Sequence, residues 1–231
     1  MNKEKNLFNK LKKFWNWTWN SDSILSWFVA LILIYILIKF IFFPGLSFIM
    51  GTPLPLAGVE SSSMDHQFIK YQTNKYELCG NSLNKENLKK LNFNEYWEFC
   101  GEWYEDKEIT QDKFEKFPLK NGFSKGDIVI VWGRFTPKIG DIIIFQANKE
   151  SLAPRPIVHR IVKINNENNK LTIGTKGDHN QDQLKISNLQ NTLRTDETNI
   201  KEEQIIGKVI FKIPYLGWLK IFFIEIINKI L

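Results

Sequence analysis

Three short segments hold the side chains most able to do covalent chemistry. The first is Val59 to His66, VESSSMDH, with three consecutive hydroxyls before Met64. The second is PIVHRIVKI, which contains His159, and the third is TKGDHNQDQ, Thr175 to Gln183, with Asp178 and Asp182. A serine hydroxyl is a weak nucleophile unless an adjacent base takes its proton. An imidazole serves as that base, and a carboxylate on its other nitrogen fixes the tautomer and stabilises the imidazolium as it forms. Together these residue types make acyl-transfer machinery, with the nucleophile's own N–H and a neighbouring hydroxyl available to an oxyanion. Each taken alone has an ordinary reading: serine clusters form turns, and a lone histidine is usually a hydrogen-bonded structural residue.

Strand geometry brings two of the three segments together. Alternation puts Ile157, His159, Ile161 and Lys163 on one strand face. If residues 157–164 and 171–176 form a hairpin across NNENN, Asn165 to Asn169, with Ile164 opposite Leu171, then His159 opposes Lys176. Asp178 then falls on the same face as a diagonal neighbour, within side-chain reach. A slip of one residue would turn Asp178 to the opposite face.

The elements that must position these groups are legible in outline. From Ile24 to Phe43, 18 of 20 residues are apolar or aromatic, Ser26 and Lys39 being the others. As a helix this run is about 30 Å long, the thickness of a bilayer core. A cleaved signal peptide would have a shorter apolar region and a small-residue cleavage site, so an uncleaved signal-anchor is expected. Lys3, Lys5, Lys10, Lys12 and Lys13 precede the run, and no Lys or Arg lies between Phe43 and Lys70. The expected topology is therefore single-pass in the cell membrane, with residues 1–23 cytoplasmic and the rest extracytoplasmic. LFNKLKKFWNWTW alternates basic and aromatic residues, and reads equally well as an interfacial helix or a frayed basic tail.

Beyond the span, residues 44–216 form the expected extracytoplasmic domain. GDIVIVWG, GDIIIFQA, PIVHRIVKI, LTIGTK and IGKVIFKI are β-prone runs separated by turn residues. A mostly β (α+β) fold follows: a membrane helix, then an antiparallel sheet domain, with residues 71–125 a helical or irregular insertion. Cys79 and Cys100 lie in that insertion, where an oxidising compartment would let them pair. They lack the close spacing of a structural zinc site. Residues 217–231 are apolar but carry Lys220, Glu225 and Lys229, and read best as a membrane-associated amphipathic segment rather than a second span.

Composition removes several classes. The chain has 231 residues, 43% hydrophobic, 24% charged and 14% aromatic, with a net charge of +6, and this is not the make-up of a disordered protein. Its basic residues do not gather into a nucleic-acid-binding face, so no nucleic-acid partner is expected. Asp65, His66, His159, Asp178, His179 and Asp182 could ligate a metal, but their spacing does not build a phosphoesterase centre, and no metal or organic cofactor is expected.

With the motifs in the order Ser, His, Asp, the chain resembles the type I signal peptidases, in the archaeal and endoplasmic-reticulum branch that uses histidine as general base. The matching segments are Ser61 to Met64, Val158 to Arg160 and Lys176 to Asn180, with GKVIFKIPYLGW similar to the family's closing strand. The resemblance implies Ser63 as nucleophile, Ser61 and the Ser63 N–H as oxyanion donors, and His159 as base. It implies Asp178 and Asp182 as the acidic pair, one orienting His159 and the other supporting the site, in an order left open. It implies a membrane-bound serine endopeptidase that removes signal peptides from exported preproteins after small residues, near the bilayer and with the translocation machinery as a candidate partner. Where the family usually has an acidic residue and proline after the Met, this chain has Asp65 and His66, which makes His66 a rival base. The competing reading is a non-catalytic, membrane-tethered binding module of the export machinery.

Overall fold

The computed structural model describes residues 2–153, 155–167, 170–187 and 193–217. Its chain divides into two compact units, Met1–Ile49 and Met50–Leu231. The C-terminal segment expected from residue 217 lies outside the described residues apart from Gly217.

The first unit is helical. Helix α1, Asn2–Asn20, is followed by α2, Ile24–Leu37, a π-turn at Ile38–Phe42 and α3, Phe43–Met50. From Ile24 to Met50 these make one helical run of 27 residues, long and apolar enough to cross a membrane. The run does not stop at Phe43 as expected but passes through Pro44. Proline cannot donate the next helical hydrogen bond and its ring crowds the preceding turn. The π-turn absorbs this: Phe43 N–H reaches back five residues to the Ile38 carbonyl, so the helix widens instead of breaking.

The second unit is built on strands β1 Leu56–Gly58, β2 Ile69–Gln72, β3 Lys75–Leu78 and β4 Asn81–Asn84, helices α4 Phe93–Glu105 and α5 Gln111–Glu115, and strands β5 Ile128–Trp132, β6 Ile142–Phe145, β7 Ile157–Glu167, β8 Lys170–Lys176, β9 Ile200–Lys201 and β10 Ile205–Ile213. Seven strands make one antiparallel sheet in the order β1-β5-β10-β6-β7-β8-β9. The fold is mostly β with a few helices, as the sequence indicates. Central β6 is buried along its whole length, the reason it reads as an unbroken apolar run without alternation. Val59, Met64, Phe123, Val129, Val131, Ile142, Ile144 and Val209 form the core beneath the sheet's first half, and Met64 anchors the serine loop there.

The insertion is more ordered than a helical or irregular reading suggests. Strands β2, β3 and β4 form a second, three-stranded sheet. Its β3–β4 turn has positive φ at both Cys79 and Gly80, the backbone of a tight hairpin. These strands are short and polar, so period-two alternation scarcely marks them. Cys79 and Cys100 form a disulfide that ties this turn to α4. Asn92 and Glu95 cap α4 reciprocally. The insertion has its own core of Phe68, Leu78, Tyr96, Trp97, Tyr104 and Phe114 with neighbours, joined there by Val162 of β7.

Candidate functional site

The serine loop is pinned by backbone on two sides. Phe123 N–H donates to the Met64 carbonyl at 3.0 Å, and His179 N–H to the Ser63 carbonyl at 2.9 Å. Ser61 Oγ and Ser63 Oγ lie 3.2 Å apart. Both line a cavity of about 640 Å³ together with His159, Asn180, Leu56 and Ile144. The Ser and His motifs therefore share one cleft.

The turn after β8 touches both. A Cβ placed on Gly177 would sit 2.7 Å from the Ser63 carbonyl oxygen and 2.8 Å from His159 Nε2. No other residue leaves room there. The glycine of the KGD segment is thus where this backbone closes against the serine loop and the imidazole.

His159 is buried on β7 and its Nδ1 bonds the carboxylate of Glu197. A carboxylate only accepts, so Nδ1 carries the proton and Nε2 presents its lone pair on the Gly177 side. Glu197 is itself fully buried and held on every side. Thr175 Oγ1 donates to it at 3.0 Å and Leu184 N–H at 2.7 Å, while its own carbonyl accepts from Thr175 N–H at 2.9 Å. The arrangement is an imidazole with an ordered carboxylate behind it.

That carboxylate is not from the expected aspartates. Asp178 turns away from His159 to Arg160, whose Nε and Nη2 donate at 2.9 Å and 2.7 Å. It also accepts from Tyr104 Oη at 3.1 Å and pairs with His66 Nε2 at 2.9 Å. Burial pushes the Asp178 carboxyl up, but the Arg160 charge and the bonds from His66 and Arg160 outweigh this and hold it well below the usual range. Asp182 lies at the half-exposed surface, accepting from Trp103 Nε1 at 2.9 Å and pairing with Lys185 at 2.9 Å. Neither aspartate contacts His159.

The reason is register. The strands of the β7–β8 hairpin run on through Asn165–Glu167, leaving only residues 168 and 169, outside the described residues, between them. Ile164 pairs with Ile173 instead of Leu171, and Val162 is an extra residue between the pairs Ile161–Thr175 and Lys163–Gly174. Next to the site Arg160, not His159, faces Lys176. The one-residue displacement hands Asp178 to Arg160.

His66, the rival base, is buried, stacked on Tyr96 at 3.7 Å between ring centroids, with Nε2 occupied by Asp178. Burial lowers its pKa despite Asp178. Among the described residues no group of three or more His, Cys, Asp and Glu side chains is arranged to hold a metal ion. Glu197 carries little signal in the sequence, since it follows a polar stretch with no strand pattern. Its one signal is position: three residues before β9, which pairs with β8 beside Thr175.

No family model matches the chain. Similar proteins include the signal peptidase complex catalytic subunit SEC11 of Candida tropicalis, 29% identical over 108 residues, 46% of this chain and 61% of that protein. The protein of the same name from Zygosaccharomyces rouxii is 31% identical over 110 residues, again 46% and 61%, and that from Eremothecium gossypii 33% identical over 107 residues, 45% and 59%. The chain thus spans about three fifths of the length of the curated relatives it matches. It is related to the signal peptidase catalytic subunits that its motifs resemble.

Proposed function

We propose that this relative of the signal peptidase catalytic subunits is itself a membrane-bound serine endopeptidase that removes signal peptides from exported preproteins. One observation carries the reading: Ser63 and His159 line one cleft, and a buried carboxylate backs the imidazole. Ser63 Oγ attacks the scissile carbonyl carbon and passes its proton to His159 Nε2. Ser63 N–H and the Ser61 hydroxyl receive the oxyanion. Collapse breaks the peptide bond, and the leaving amine takes the proton from His159. A water, deprotonated by His159, then hydrolyses the acyl-enzyme and returns Ser63.

Glu197 is the positioning residue for the base. Asp178 supports the site by anchoring Arg160 and His66, and Asp182 by fixing Trp103 and the turn after it. Strand β1 lies at the sheet edge and beside the cavity, so an extended substrate can pair with it while small side chains enter. The apolar helical run anchors the chain, with residues 1–23 cytoplasmic and the peptidase unit across the membrane. Preproteins, the bilayer, partner subunits and the translocation machinery are its expected partners.

The test is cleavage of a model preprotein in liposomes by the wild type and by Ser63→Ala, His159→Ala and His66→Ala, each with and without a chelator. Loss of cleavage in the first two variants, indifferent to chelator, is expected. His66→Ala should keep the chemistry once folded. Cleavage by Ser63→Ala at the wild-type rate would overturn the mechanism.

A further inference from the structure

Helix α1 carries a surface the peptidase mechanism does not use. At 3.6 residues per turn, Leu7, Phe8, Leu11, Phe14, Trp15, Thr18 and Trp19 fall within an arc of about 140°. Leu7, Phe8, Leu11, Phe14, Trp15 and Trp19 are all exposed. The remaining arc holds Asn6, Asn9, Lys13, Asn16 and Asn20 together with the half-buried Trp17, with Lys10 and Lys12 along its two borders with the apolar face. Residues 2–21 contain five lysines and one glutamate.

The corner with α2 orients this face. Thr18, near the middle of the apolar arc, is buried, as is Ser26 of α2, and the two helices touch. Ser26 Oγ donates to the carbonyls of Ser21 and Ser23 at 2.8 Å and 2.7 Å, so the corner is a built turn. The apolar arc of α1 therefore faces the side on which the apolar helical run proceeds. A tail frayed into water would have no reason for this arrangement.

We infer that α1 is an in-plane anchor that docks its apolar arc on an anionic phospholipid leaflet, its bordering lysines meeting the headgroups. Six exposed large side chains on one arc exceed what a solvated helix shows. The lysines select negative lipid, each worth roughly fivefold in the docking equilibrium near such a surface. The inference rests on the reading of α2 as a membrane span.

The test uses the full chain in vesicles of phosphatidylcholine alone or with 30 mol% phosphatidylglycerol, the percentage being about that needed for a clear surface charge. Nitroxide labels are placed at Leu11→Cys, Asn9→Cys and, in α2, Leu31→Cys. Both native cysteines are in the disulfide, so only the added thiol reacts. Collision with dissolved oxygen and with a water-soluble nickel chelate reports each environment. In the anionic vesicles position 11 should be lipid-exposed and position 9 water-exposed. Lys10, Lys12 and Lys13 changed together to Gln should weaken docking roughly a hundredfold. Equal contrast between positions 9 and 11 in the two lipids would overturn the anionic assignment, and no contrast in either would overturn docking. With position 31 in lipid, that failure belongs to α1 alone, whereas a water-exposed position 31 overturns the membrane-span reading too.

Discussion

In the proposed mechanism Glu197 has two tasks at the residue scale, fixing the proton on His159 Nδ1 and balancing the imidazolium formed as Ser63 gives up its proton. Glu197→Gln keeps the shape but can donate to Nδ1, inviting the wrong tautomer. Its cleavage rate should fall by about 10³ to 10⁴-fold while the chain remains folded, which single-turnover cleavage and circular dichroism would check together. Lys176 is the second case. Its side chain is fully buried between the rings of Trp103 and Tyr104, with Nζ donating to the Gly177 carbonyl at 3.1 Å. Burial pushes its pKa down to about 8, against the pull of Asp178 and Glu197. Below pH 8 it is charged in folded and unfolded chain alike and its burial cost is constant. Between pH 8 and the ordinary 10.5 the unfolded chain still holds the proton the folded one has released, so this group makes stability rise with pH. Melting temperatures of wild type and Lys176→Met should diverge across that window, the wild type gaining relative to the variant. The candidates Ser63, Ser61 and His159 stand out in the sequence because their neighbours form recognisable segments. Glu197 does not, because what marks it is a buried contact between β8 and a patternless loop.

At the scale of elements, reading and structure part where the pattern is weak. The strongly apolar runs β5, β6, β7, β8 and β10 are legible because burial on the sheet demands apolar side chains. The ends of β7 and β8 are not, since Asn165, Asn166 and Glu167 have turn chemistry yet continue the ladder. That extension and the extra Val162 decide which carboxylate meets which partner. The insertion's polar strands are equally hidden, and the Cys79–Cys100 disulfide supplies part of what their small contacts do not. With 21 residues of separation, losing it should cost about 3 kcal/mol. Cys79→Ser with Cys100→Ser should lower the melting temperature by several degrees, whereas a chain insensitive to both changes would mean the aromatic core holds the insertion unaided.

Across the second unit as a whole, Asp178 joins parts distant in sequence. Arg160 of β7, also bonded to the carbonyls of Pro118, Leu119 and Gly140, meets His66 of the serine loop and Tyr104 of α4 at this one carboxylate. Asp178→Asn leaves Arg160 buried with reduced compensation and should cost about 3 to 5 kcal/mol, measured by denaturant unfolding. Because Asp178 is held below its ordinary 3.8, its contribution is full above that pH and is lost as acid approaches the lower folded value. The wild type should therefore lose its advantage over Asp178→Asn as pH falls below about 4. The strand order adds a matter of timing. β10, late in the chain, lies between β5 and β6. During N-to-C synthesis the two earlier strands must wait with unpaired edges until residue 213 has emerged. Glu197 reaches His159 only shortly before that. On the proposed function, a nascent copy is thus inert toward the traffic passing it, and gains its cutting edge only when the last strand slides home.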